Sequence, residues 1–201
     1  ENLGMLPWLE QTAPDIVLMQ EVRATDTLAR KALQPALDAG WHLAHAESTV
    51  KGRAGVGILS RREPSAVRIG FGSDEFDDSG RYIEADFDVA GQTVTAASLY
   101  LPTGAALTEN EKDVEKYHEK VRFLDAFRPY LDKLLAGDGQ VVVAGDWNIA
   151  RDERDIKNWK GNVKNAGFLP EERAYFDRFF GEEIGWKDVA RELAGDVDGP
   201  Y

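Results

Sequence analysis

The chain has 201 residues and a formal net charge of −12, with 43% hydrophobic and 30% charged residues. This composition is that of a folded globular protein, and it excludes a largely disordered chain. Cysteine is absent, so disulfides and thiolate metal sites are excluded, and any metal ion must be bound by carboxylate, amide or imidazole groups.

The charge and the apolar runs restrict the partners. No apolar run approaches the roughly 18 residues of a membrane span, so we expect no membrane partner. A net charge of −12 argues against nucleic acid, whose usual binding surface is basic, although a divalent cation or a few clustered Lys and Arg can reverse the field locally. The absence of cysteine fits a cytoplasmic protein.

The first predicted elements are strands and a helix. The apolar residues 16–19 predict a buried strand, and a helix follows that begins near Asp26 and ends at Gly40. Residues 41–46 predict a second strand, and residues 55–60 a third that is buried on both faces.

A hairpin and two helices complete the pattern. Residues 81–89 alternate apolar and acidic side chains, which predicts a strand with one face in water, and a turn joins them to a strand over residues 93–100. Helical spacing covers residues 109–136, where we expect Pro129 to kink or divide the helix. Pro170 begins another helix. These elements predict a mixed α/β fold with two packed sheets and helices outside them, in one domain over residues 1–201.

The most informative stretch is the apolar run at residues 141–144, which predicts a central strand buried on both faces. Asp146 and Asn148 follow it. If extended geometry persists, both side chains point the same way, and the pair suits coordination of a hard cation or orientation of a water beside a phosphate. The alternative is an Asx turn after a strand.

Two other predicted strands also end in polar residues. Glu21 follows the strand at residues 16–19, and it is either a ligand or a solvated strand end. Tyr100 ends the strand at residues 93–100, where its ring either packs at the rim of the sheet or directs its phenol into a site.

Five stretches of the chain resemble the exonuclease III family of DNA repair nucleases, within the endonuclease/exonuclease/phosphatase superfamily. In that family's order they are residues 18–23 (LMQEVR), 80–83 (GRYI), 100–104 (YLPTG), 145–150 (GDWNIA) and 168–173 (FLPEER). The stretches at residues 18–23 and 145–150 are shared by the wider superfamily, whereas the last is specific to the repair branch.

The resemblance implies a four-layer sandwich, in which two mixed β-sheets face each other and helices cover both outer sides. It implies that Glu21 is the principal Mg²⁺ ligand, with Mn²⁺ as a second possible metal. Asp146 would orient or deprotonate the attacking water, and Asn148 would position the phosphate or the metal. These groups supply the directed water and the charge stabilisation that phosphodiester hydrolysis requires.

Three further residues acquire roles from the same resemblance. Tyr100 looks like the phenol that supports the scissile phosphate. Arg81 and Lys120 look like contacts to phosphate groups.

The function implied is Mg²⁺-dependent hydrolysis of DNA phosphodiester bonds in base excision repair, as an abasic-site endonuclease and as a 3′–5′ exodeoxyribonuclease. The partner would be double-stranded DNA with abasic sites or 3′ ends, bound by a monomer. Two alternatives stay open: a superfamily phosphatase acting on inositol phosphates or sphingolipids, and a catalytically silent fragment or binding module that keeps only the fold.

The sequence departs from the family pattern at its ends. That pattern has a metal-site asparagine on a strand before residue 1, and a tryptophan-rich loop, an aspartate and a catalytic histidine–aspartate pair after residue 201. His118 is predicted to lie on a helix and is not assigned the missing role. We therefore expect residues 1–201 to be an internal portion of the enzyme, truncated at both ends, with an incomplete site.

Overall fold

A computed structural model of the chain describes residues 4–180 and 185–199. The chain forms two compact units, of which the first comprises residues 1–100 and 138–146 and the second residues 101–137 and 147–201. Within the described residues, no helix combines the length and the apolar character needed to cross a bilayer. The expectation of a single domain stays a prediction.

Within the described residues, the first unit contains two sheets and three α-helices. Its elements are α1 (Met5–Thr12), β1 (Ile16–Met19), α2 (Asp26–Ala32), α3 (Gln34–Asp38), β2 (His42–Ala46), β3 (Val56–Ser60), β4 (Ala66–Ile69), β5 (Tyr82–Val89), β6 (Gln92–Tyr100) and β7 (Gln140–Asp146). The second unit contains α4 (Glu111–Leu135), α5 (Trp159–Asn162), α6 (Pro170–Phe179) and α7 (Val189–Ala194).

The smaller sheet has the order β1-β3-β2 and is antiparallel. The larger sheet has the order β4-β5-β6-β7; its first two pairings are antiparallel, and β7 runs parallel to β6. The β5–β6 hairpin is confirmed, and Val89 pairs with Gln92 across its turn.

Side-chain alternation along the strands builds two apolar layers in the first unit. Residues of both sheets share one core, and the opposite face of the smaller sheet packs against α1, α2 and α3. β3 contributes to both layers, because Ile58 belongs to the core between the sheets and Leu59 to the layer under the helices. The predicted burial of this strand on both faces is therefore confirmed.

Three details differ from the sequence predictions. Within the described residues β7 is the last strand in its sheet and not a central one, and Val142 is 54% exposed. An apolar run alone does not specify how many neighbours a strand has. The helix predicted between Asp26 and Gly40 is two short helices, and α4 continues through Pro129.

The face of β5 that was predicted to lie in water is instead paired. Glu84 is fully buried and Asp86 is mostly buried, and both carboxylates contact the guanidinium of Arg68 on β4. Asp86 accepts two hydrogen bonds from Arg68 at 2.7 Å, and a third from Thr95 at 2.7 Å. The prediction was wrong because apolar patterning gave no sign of β4, the strand that supplies the counter-charge.

The second unit is held together by aromatic side chains. Trp147 lies 5.4 Å from Phe176, 6.3 Å from Phe179 and 6.4 Å from Phe127, measured between ring centroids. Contact between rings at such distances adds to the stabilisation from apolar burial. α6 begins at Pro170, as predicted.

The Arg68 pairing predicts a pH-dependent contribution to stability. The hydrogen bonds from Arg68 hold the pKa of Asp86 below its ordinary value. A depressed folded-state pKa stabilises the protein above the unfolded pKa of about 4, and this contribution is lost as the pH falls through the folded value. We expect Asp86→Asn to lower the unfolding free energy by about 1–3 kcal/mol at pH 7.

Urea unfolding between pH 7 and pH 3 provides the measurement. The difference between parent and variant should shrink below about pH 4. Asp74→Asn, at an exposed aspartate, is the control and should change little. A difference for Asp86→Asn that stays constant over this pH range would contradict the assignment.

Candidate active site

The phenol of Tyr100 and the carboxylate of Glu21 meet at the ends of β6 and β1. Tyr100 donates a hydrogen bond to Glu21 Oε1 at 2.7 Å, and Arg23 donates one to Glu21 Oε2 at 2.6 Å. Tyr100 is buried, whereas the Glu21 side chain is 43% exposed. A tyrosine buried in the core thus holds a carboxylate that solvent reaches.

The backbone around Glu21 adopts an uncommon conformation. Glu21 has a φ of 52° and Arg23 a φ of 48°, both in the left-handed region. This conformation costs about 1–3 kcal/mol for a non-glycine residue, persists only where the surroundings impose it, and clusters at functional sites. Here two backbone hydrogen bonds hold the segment in place. Val22 N donates to Gly55 O at 3.0 Å, and Arg23 N donates to Ala54 O at 2.9 Å.

A second polar link fixes the end of β1 against β6. Gln20 Nε2 donates to Ser98 Oγ at 2.9 Å, and Ser98 Oγ donates to Met19 O at 2.8 Å. Ser98 is fully buried. Because the hydroxyl bridges the two sheets immediately before Glu21, it fixes where that carboxylate emerges.

Arg81 and Asp146 lie on either side of Tyr100. The guanidinium carbon of Arg81 is 5.1 Å from the centroid of the Tyr100 ring, and its Nη1 donates to Tyr100 O at 3.3 Å. Asp146 pairs with Tyr100 in the parallel ladder of β6 and β7. Residues in register on parallel strands project to the same face of a sheet, so Asp146 lies on the face of the larger sheet from which Tyr100 contacts Glu21.

Gly145 allows this pairing. Its φ is 144°, and a Cβ added there would lie 2.1 Å from Leu99 O. Only glycine therefore permits β7 to approach β6 this closely immediately before Asp146.

Asn148 and Lys120 belong to the second unit. Asn148 has a φ of 49°, and its Nδ2 donates to Leu101 O at 2.8 Å. β7 ends at Asp146, so extended geometry does not persist to Asn148, and the predicted common direction of the two side chains no longer follows. Lys120 is 1% exposed and donates to Asn148 O at 2.8 Å. This environment does not match the phosphate contact that the resemblance implied.

The comparison with known proteins identifies the family of the chain. A model of the endonuclease/exonuclease/phosphatase family matches residues 2–195. The chain belongs to this family.

Two relatives that the chain resembles in sequence are nucleases by name. The DNA repair nuclease APEX1 of Danio rerio is 38% identical over 196 residues, which are 95% of this chain and 57% of that protein. An exodeoxyribonuclease of Bacillus subtilis (strain 168) is 30% identical over 200 residues, which are 100% of this chain and 72% of that protein. The chain thus spans little more than half of the first relative.

The solved structure of an AP endonuclease from Archaeoglobus fulgidus matches with a TM-score of 0.78 and 30% identity. The match covers 94% of this chain and 67% of that one. It confirms the predicted mixed α/β fold with two sheets flanked by helices.

The side chains of the site suit a metal ion that has few protein ligands. Within residues 4–180 and 185–199, no three or more His, Cys, Asp or Glu side chains form a group that could hold a metal. Glu21 offers one accessible carboxylate. Mg²⁺ commonly binds through one or two carboxylates, with waters and substrate phosphates at its other positions. Glu21 therefore fits this metal as a protein ligand.

Sequence reasoning missed the residues that hold the site in place. Gln20 belongs to a stretch that carried the resemblance, so a role for this residue beside Glu21 was within reach. Nothing in the sequence indicated a role for Ser98, because the role of a serine in an apolar strand depends on a hydrogen-bond partner that is distant in sequence. Arg23, the ion-pair partner of Glu21, lies in the same stretch as Gln20 and received no role.

The close approach at Gly145 predicts a specific instability. In Gly145→Ala the new methyl group would overlap Leu99 O and the backbone would also be strained. Gly72 is a matched control, because its φ is 88° and a Cβ there meets nothing within 4 Å. We expect Gly72→Ala to cost about 1–2 kcal/mol, from backbone strain alone, and Gly145→Ala at least about twice that amount.

Unfolding in guanidinium chloride measures both variants. Equal losses in the two would show that the contact between β7 and Leu99 does not constrain this position.

Proposed function

We propose that the protein hydrolyses DNA phosphodiester bonds with Mg²⁺, acting at abasic sites and at 3′ ends. The observation that carries the proposal is the 2.7 Å hydrogen bond from Tyr100 to Glu21. It joins a phenol and a carboxylate that are 79 positions apart, in two of the five stretches that resemble the repair nucleases. The names of the relatives in the family, an exodeoxyribonuclease and AP endonucleases among them, support the same reaction.

Glu21 would hold the metal, and Mn²⁺ would also fit a single carboxylate with water ligands. A bound divalent cation supplies Lewis-acid stabilisation of the charge that develops on the phosphate oxygens. Tyr100 orients the carboxylate through its hydrogen bond. Arg23 competes for Oε2, so its guanidinium must move before both oxygens of Glu21 become available.

The remaining residues act on the phosphate and the water. Arg81, packed on the Tyr100 ring, presents a planar guanidinium suited to phosphate oxygens. Asp146 orients or deprotonates the attacking water, because a carboxylate within hydrogen-bond reach of a water serves as its base. Asn148 positions the phosphate through its amide.

A basic segment within the acidic chain supports DNA as the partner. Residues 156–170 contain three lysines and no acidic residue, and Lys157, Lys160 and Lys164 are exposed. Trp159 lies among them, with Lys160 Nζ 5.4 Å from its ring centroid. Clustered lysines neutralise backbone phosphates and release counterions, so this surface would bind DNA although the net charge is −12. A monomeric state and a cytoplasmic location stay predictions.

The first prediction of the proposal concerns the metal. Glu21→Gln keeps the size of the side chain and removes its charge, so we expect Mg²⁺ affinity to fall at least about tenfold, because hard cations depend on charged oxygen ligands. Isothermal titration calorimetry measures the affinity, and Glu10→Gln, at an exposed glutamate on α1, is the control. Unchanged affinity in Glu21→Gln would remove this residue from the metal site.

The second prediction concerns the reaction itself. The chain is incubated with a duplex that carries an abasic analogue, with Mg²⁺ or with EDTA, and incision is followed on a gel. We expect cleavage only with Mg²⁺, and a loss on the order of 10²-fold in kcat for Asp146→Asn, with DNA binding retained. Asp138→Asn, before β7 and exposed, should keep the parent rate.

The two alternatives give different results in the same assay. Turnover of soluble inositol phosphates or sphingolipids without DNA incision would favour a phosphatase. DNA binding without any Mg²⁺-dependent cleavage would favour a silent binding module, and either result would overturn the proposal.

A further inference from the structure

One buried ion pair in the second unit has no part in the reaction as described so far. Lys120 Nζ lies 2.8 Å from Glu172 Oε1, and both side chains are almost completely buried. The ammonium also donates to Thr103 O at 3.2 Å and to Asn148 O at 2.8 Å. The ammonium therefore hydrogen-bonds to carbonyls of two loops and forms an ion pair with a carboxylate of α6.

Glu172 connects the same cluster to the start of α6. Its Oε2 accepts hydrogen bonds from Gly167 N at 2.6 Å and from Leu169 N at 3.2 Å. The carboxylate thus binds two backbone N–H groups with one oxygen and the ammonium of Lys120 with the other. Lys120 and Glu172 are called the buried pair below.

The buried pair is linked to the loop of Asn148 at two points. Lys120 binds the carbonyl of Asn148 directly. Glu172 holds Gly167 N, and the carbonyl of Gly167 in turn accepts from Ala150 N at 2.8 Å. The loop that carries Asn148 is therefore fixed at the carbonyl of this residue and again at Ala150, two residues further along.

Asn148 needs such support because its own conformation is strained. Its φ of 49° lies in the left-handed region, which asparagine tolerates better than most residues but still at a cost. Its side-chain Nδ2 already donates to Leu101 O, so the amide oxygen is the end of the side chain that points away from this bond. The bond from a buried ammonium to the Asn148 carbonyl fixes the backbone from which this side chain projects.

Two glycines leave the space that the buried pair occupies. A Cβ on Gly104 would lie 2.7 Å from Lys120 Cδ, and a Cβ on Gly167 would lie 3.1 Å from Asn148 O. Both glycines have positive φ, of 72° and 87°. The loops thus approach the lysine and the asparagine at positions where other residues would clash or be strained.

Stability alone is a weak reason for such a pair. The desolvation of two charges commonly cancels their attraction, and well-packed apolar residues in place of a buried ion pair are often at least as stable. What an apolar pair lacks is a donor for the carbonyls of Asn148 and Thr103. The pair therefore provides directed hydrogen bonds that a hydrophobic core would not.

We propose that Lys120 and Glu172 are positioning residues, which fix the backbone of Asn148 so that its amide meets the phosphate in the correct place. This inference rests on the proposed function and deepens it. It replaces the phosphate contact implied for Lys120, because this side chain is 1% exposed and its ammonium is already engaged by two carbonyls and a carboxylate.

The experiment compares Lys120→Met, Glu172→Gln and the double variant. Each single change leaves a charged partner buried and unpaired, so we expect the melting temperature to fall by about 10 °C. The double variant removes both charges and should recover most of this loss. Its kcat on an abasic duplex should nevertheless stay about 10- to 100-fold below the parent, because small errors in position cost this much, with KM changed by less than about threefold.

Matched controls are available on the same helices. Lys116→Met and Glu171→Gln change exposed residues adjacent in position to the buried pair, and both should keep the parent kcat.

A spectroscopic measurement makes the inference independent of turnover. In ¹H–¹⁵N correlation spectra the side-chain amide signals of Asn148, assigned by their loss in Asn148→Asp, should move in Lys120→Met and remain moved in the double variant. If both the kcat and these signals return to parent values together with the melting temperature, the pair is only structural and the inference is overturned. An increase in KM at constant kcat in Lys120→Met would instead support a direct contact of Lys120 with phosphate and would overturn the inference.

The outcome for the proposed function is separate. A parent protein that never cleaves abasic DNA would overturn the proposed reaction, while the amide signals of Asn148 would still decide whether the buried pair positions this residue.

Discussion

The candidate site of the first unit depends on keeping the ends of β1 and β6 at a fixed offset. The two strands belong to different sheets, so no backbone ladder joins them. Apolar packing between the sheets resists separation but does not specify a position along the strands. The Ser98 hydroxyl fixes this position, because it accepts a hydrogen bond from Gln20 and donates one to the Met19 carbonyl. Tyr100 and Glu21 then meet two residues further along each strand.

Buried charge is used in a similar way in both units. Arg68 in the first unit pairs with one fully buried and one mostly buried carboxylate, and Lys120 in the second pairs with an almost completely buried one. Arg68 links adjacent strands of one sheet, where a planar guanidinium can bind two carboxylates at once. Lys120 instead reaches two backbone carbonyls and one carboxylate, a task for which a compact ammonium with three donors is better suited.

The sequence predicted those features that are encoded locally. Residues 55–60 are apolar in succession and form a strand buried on both faces, and Pro170 with two following glutamates begins a helix. The positions of Glu21 and Tyr100 at strand ends were likewise readable. Features that depend on a distant partner were not: the paired face of β5 requires Arg68, and the edge position of β7 requires knowledge of its neighbours. The direction of Asn148 was lost because a single left-handed residue ends the period-two alternation.

The left-handed backbone at Glu21, Arg23 and Asn148 has a consequence for how this protein can change. At such positions glycine is the residue that relieves the strain, by roughly 1 kcal/mol each. A search for thermostable variants that scored folding alone would therefore tend to replace these three residues. We assign metal binding to Glu21, the ion pair with Glu21 to Arg23, and phosphate binding to Asn148. Selection for robustness and selection for turnover would pull these three positions in opposite directions. The most heat-tolerant variants of this chain are thus expected to include some that have lost activity because a strained backbone position was relieved.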